Sequence, residues 1–73
     1  MFNQGDLVHI PQGVTMIRQL GGNLRYVTTT KPEIGIFLKY LAGCCGDAQI
    51  AMVDGHVWHV EHKKLRFKEN YVN

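Results

Sequence analysis

A chain of 73 residues that is 45% hydrophobic and 19% charged, with a formal net charge of +2, is too apolar and too balanced in charge to be disordered. It contains no run of the ~20 apolar residues that a membrane-spanning helix needs, and its two cysteines cannot supply the disulfide framework of a small secreted scaffold. Composition leaves one small domain, residues 1–73, whose single core is small enough that a second copy or a partner can contribute to the native state.

Met1–Asp6 has no basic start leading into an apolar run, so no secretory leader is expected. Asp6–Ile10 reads as a short strand that Pro11 ends, because proline has no N–H for a ladder. Residues 11–32 form a long excursion in which Val14–Leu20 and Leu24–Thr30 flank the turn Gly21-Gly22-Asn23, a pattern able to hold an extra hairpin. Thr28-Thr29-Thr30 reads as no more than a β-branched strand end. In the strand Ile34–Leu41, the alternation assigns Ile34, Ile36, Leu38 and Tyr40 to one face and Gly35, Phe37, Lys39 and Leu41 to the other. The aliphatic set is expected to join Val8 and Ile10 in the core.

Gly43–Asp47 is a loop carrying the adjacent Cys44 and Cys45. Vicinal cysteines close a disulfide only in a strained ring, so two free thiols in a reducing cytoplasm are expected. Asp54-Gly55 between Ala48–Val53 and His56–Glu61 is the strongest hairpin signal in the chain. A two-residue loop there mixes apolar and polar side chains on both faces. A three-residue loop, Val53-Asp54-Gly55 with Gly55 left-handed, pairs Met52 with His56, Ile50 with Trp58 and Ala48 with Val60. It gathers Ala48, Ile50, Met52, Trp58 and Val60 on one face, and that segregated register is expected. His62–Leu65 then reads as a 3₁₀ turn that sends Leu65 into the core, before a last strand Arg66–Glu69.

This order of parts resembles an SH3-like small barrel: an all-β fold of about five strands with a long first loop and a 3₁₀ turn before the last strand. Within that fold, Gly5–Pro11, Lys31–Leu38 and Val53–Leu65 are similar to small proteins encoded by tailed bacteriophages, especially those of marine cyanobacteria. The resemblance implies a non-catalytic interaction or structural module in the host cytoplasm. Two departures shape what it would bind. Leu7-Val8-His9-Ile10 stands where proline-reading SH3 domains carry an aromatic strand, and the single tryptophan replaces their tandem pair.

An enzyme is not expected. There is no serine, hence no serine triad, and no phosphate-binding or dinucleotide loop. No cofactor is implied. On a strand His56 and His59 face opposite sides, and Cys44-Cys45 lacks the spacing of a zinc site, so no metal is expected. Tyr26, Phe37 and Leu41 are the candidate anchors for a protein partner, reached through the loop 11–32 and exposed sheet edges. The alternative is nucleic acid, held by Arg18, Arg25, Lys63, Lys64, Arg66 and Lys68. All of the excess charge lies between Glu61 and Glu69, and two net charges are few beside the phosphate contacts of known binders. No membrane association is expected, and self-association remains open.

Overall fold

The alternating apolar positions fold into seven antiparallel strands, seen in a computed structural model that describes residues 2–41 and 47–67. In chain order these are β1 (Leu7–Ile10), β2 (Thr15–Leu20), β3 (Asn23–Thr28), β4 (Glu33–Tyr40), β5 (Asp47–Met52), β6 (Val57–Glu61) and β7 (Arg66–Phe67), with a 3₁₀ turn at His62–Lys64. They make one sheet in the order β3-β2-β6-β5-β4-β1-β7. The count exceeds the expected five because the excursion forms a hairpin of its own, β2–β3. The sheet is open, with β3 and β7 at its edges. No helix among the described residues is long and apolar enough to cross a membrane.

The β5–β6 hairpin takes the segregated register. Ala48 faces Val60 and Ile50 faces Trp58, the Met52 N–H donates to the His56 carbonyl at 2.8 Å, and Gly55 has φ +87°. Trp58 is 9% exposed and packs in the core with Ala48, Ile50 and Val60, while Met52 lies against that core from its edge. Leu65 follows the 3₁₀ turn inward. The β2–β3 turn is tighter than Gly21-Gly22-Asn23: only Gly21 and Gly22 turn, both at positive φ, and Asn23 already pairs with Leu20. Two consecutive left-handed residues match the right-handed twist of a two-residue hairpin.

The face of β4 is the reverse of the expected one. Phe37 is 2% exposed and sits in the core, whereas Ile34 and Ile36 are 38% and 43% exposed and Leu38 is half-buried. The cause is Gly35. Its backbone runs against Ile50, so that a Cβ built on Gly35 would collide with Ile50 Cγ2 and lie 3.2 Å from Met52 Sδ. The inward side of β4 therefore belongs to a residue with no side chain and to Phe37, and Ile36 faces outward beside Leu7 and Ala51. A bulge between Phe37 and Lys39 shifts the alternation. It brings Tyr40 back to the side of Phe37, with ring centroids 4.7 Å apart. Phe2 joins this group, 5.6 Å from Phe37 and 4.4 Å from Phe67, and its N–H donates to the Tyr40 hydroxyl at 2.9 Å.

Thr29 is more than a strand end. It is buried, its hydroxyl donates to the Pro11 carbonyl at 2.7 Å and accepts the Val14 N–H at 2.9 Å. Its own carbonyl accepts the Gly13 N–H and its N–H donates to the Val14 carbonyl. Four hydrogen bonds thus close the base of the hairpin, one of them reaching Pro11 just past β1.

Two substitutions test this account. Gly35→Ala forces the Ile50 contact apart and is expected to cost about 1–3 kcal/mol, read as a fall in melting temperature of roughly 5–20 °C. Ile50→Leu removes the colliding methyl, so the double variant should lose less than the sum of the single losses. Thr29→Val keeps the shape but leaves a buried N–H and carbonyl without the hydroxyl, at about 1–3 kcal/mol in urea unfolding. The exposed neighbour Thr28→Val should stay within about 0.5 kcal/mol.

Candidate functional site

Among the described strands, β3 of the β2–β3 hairpin is the most exposed. All six residues of β3 are exposed, among them Tyr26 at 62% and Leu24 at 56%. Backbone geometry decides which groups are free to bind. In a two-residue hairpin the closing pair, Leu20 and Asn23, exchanges both hydrogen bonds, and pairs alternate from there. The Thr29 N–H to Val14 carbonyl bond, 2.9 Å, falls in this phase. Leu24, Tyr26 and Thr28 therefore aim their N–H and C=O groups at the open edge. Side chains divide in the same way. Tyr26 shares the outer face with Ile17, which pairs with His59, and Val27 shares the inner face with Met16.

The inner face of the hairpin overhangs a cleft of about 360 Å³. Met16, Met52 and Trp58 form its floor, Val27 of β3 and Val53 of the β5–β6 turn stand as walls, and Glu33 and Asp54 supply its carboxylates. Glu33 points inward because it pairs with Ile10 on β4's core-facing side. Asp54 is set by its turn: Oδ1 accepts the His56 N–H at 2.9 Å and Oδ2 lies 3.3 Å from His56 Nδ1. Met16 and Trp58 are almost fully covered, at 5% and 9% exposed, and Met52 is half-buried, so the cleft meets them only at their margins. Alternation alone could place Met16 and Trp58 inward, but not show that a cleft remains beside them.

The expected anchors do not converge. Tyr26 is on the open edge. Phe37 is buried in the core and has no surface to offer, which corrects its expected role. Leu41 is half-buried beyond the far end of β4, its N–H held by the Asp47 carbonyl at 2.9 Å.

Nor do the basic residues form one surface. Arg18 and Arg25 face each other across the hairpin, and the Arg18 guanidinium lies 5.5 Å from the Trp58 ring. Lys63 and Lys64 are on the 3₁₀ turn. Arg66, on the opposite edge strand, spends Nη1 on the carbonyls of Lys63 and Leu65, at 3.1 and 3.0 Å. Lys68, Cys44 and Cys45 lie outside the described residues. Among those described, no three His, Cys, Asp or Glu side chains come together as a metal site. His9 is buried on β1, between Ile34 and Arg66 in the ladder.

Comparison with protein families, curated proteins and solved structures found no match to the chain.

Proposed function

We propose that the chain is a non-catalytic interaction module of the SH3-like small-barrel type, kin to small proteins of tailed bacteriophages, that binds a protein partner by adding an extended segment of it to β3. The observation that carries this is the edge itself: a six-residue strand, exposed throughout, with three consecutive outward-pointing N–H and C=O pairs and a large aromatic beside them. Such edges pair with other chains unless they are blocked. Natural edges are blocked by charge, proline, bulges or short length. β3 has a single charge, Arg25, and no proline. Main-chain hydrogen bonds would supply affinity, and alternate side chains such as Tyr26 would supply selectivity. The strand order supports the barrel reading, since β1, β4, β5, β6 and β7 follow the expected succession with the 3₁₀ turn before the last strand. Arg66 engaged with carbonyls and Arg18 seated on Trp58 favour a protein partner over nucleic acid.

Affinity purification of the tagged chain from its native cell tests the reading. A partner held at β3 should co-elute at 500 mM salt and be lost from Leu24→Lys/Tyr26→Lys, a pair of exposed changes expected to leave melting within a few degrees. Tyr26→Pro, which deletes one outward N–H, should weaken capture at least tenfold. Capture unchanged in both variants overturns strand addition. Recovery of nucleic acid that washes off between about 50 and 200 mM salt would establish the phosphate-binding alternative instead.

A further inference from the structure

The cleft beneath the hairpin has a chemistry that limits what the β3 edge can receive. The chain carries net charge +2, yet among the described residues the charged ones lining the cleft are Glu33 and Asp54. Its remaining lining is apolar: two polarizable thioethers, two valines and the edge of an indole. This combination fits a long side chain with an aliphatic stem and a cationic head. The stem can lie along methionine and tryptophan while the head stays near the carboxylates. That indole already accepts one cation, the Arg18 guanidinium at 5.5 Å, in keeping with the attraction of a cation to an aromatic face. Arg18 and its cross-strand partner Arg25 share the face of Met16 and Val27 but do not line the cleft.

Register connects the cleft to the edge. Residues directly opposite one another on neighbouring strands project to the same face. A strand laid along β3 therefore places the residue opposite Val27 on the side of Val27 and Met16, which is the side of the cleft. We propose that the partner is an extended peptide carrying a lysine or arginine opposite Val27, whose side chain enters the cleft over Trp58 toward Glu33 and Asp54. The proposal rests on strand addition at β3 and adds to it the class of residue that is read.

The test uses three capped pentapeptides with the sequence Thr-Val-X-Val-Thr, where X is lysine, norleucine or glutamate. Two readouts are followed: the fluorescence of Trp58, the sole tryptophan, and the amide resonances of Leu24, Tyr26 and Thr28. The lysine peptide should shift Trp58 emission saturably and bind at least fivefold tighter than norleucine, with glutamate weakest. The lysine advantage should shrink as salt rises from 50 to 500 mM. Glu33→Gln/Asp54→Asn should bring lysine down to the norleucine level while the β3 amides still respond. Asparagine at 54 retains an oxygen for the His56 N–H, so the turn is kept. Equal binding of all three peptides, or a lysine preference that survives the double variant, overturns the proposal. Movement of the β3 amides with no Trp58 response leaves strand addition standing and removes the cleft. A lysine-selective Trp58 response with silent β3 amides overturns strand addition and leaves the cationic cleft.

Discussion

The close approach of Gly35 to Ile50 sets the arrangement of most of the molecule. Where β4 pairs with β5, the space that a Cβ would occupy is filled by the isoleucine. β4 must therefore turn its glycine inward, and the rest of the strand follows. Phe37 enters the core, Ile34 and Ile36 face out, and the bulge before Lys39 lets Tyr40 rejoin Phe37. The inward aromatic then collects Phe2 and, through it, Phe67 of β7. One missing methyl group thus links the centre of the sheet to its edge strand. The outward residues form a row across four strands, Leu7, Ile36, Ala51 and Val57, each beside the next in register.

The hairpin β2–β3 is held by a different device. Along its length it meets the rest of the sheet through a single register pair, Ile17 with His59. At its base, Thr29 makes the four hydrogen bonds that bind it to Pro11, Gly13 and Val14. The base is fixed and the far strand is open to solvent. That combination produces the free edge and leaves a cleft beneath Val27, with Met16 and Trp58 almost fully covered at its floor.

These two regions also show what could be read in the sequence and what could not. The β5–β6 hairpin was legible because one register, and only one, separates apolar from polar side chains, and Asp54-Gly55 marks the turn. The same reasoning failed on β4. Alternation there offers two faces, and counting apolar residues favours Ile34, Ile36 and Leu38 over Gly35 and Phe37. The decision was made by a tertiary contact with Ile50, which no local pattern encodes, and by a bulge that breaks the period of two. Thr29 was hidden for a similar reason: three consecutive threonines look alike until one is buried between two backbone groups. For the site, the open hairpin and Tyr26 were visible as surface. The cleft was not, since Glu33 and Asp54 are brought to it by pairing across distant strands.

The pairing of β1 with β7 has a consequence for how the chain reaches this structure. Val8 lies beside Phe67 and His9 beside Arg66, contacts that span about sixty residues and close nearly the largest loop available to the chain. The hairpins β2–β3 and β5–β6 need only local turns and can form in microseconds, whereas a ladder of such high sequence separation comes late and slows folding. Until Phe67 arrives, Phe2 lacks one of its ring partners and β1 leaves the sheet a second open edge. The aromatic group therefore acts as the latch of the folding reaction, and the interval before it closes is when the chain is most exposed to pairing with its neighbours.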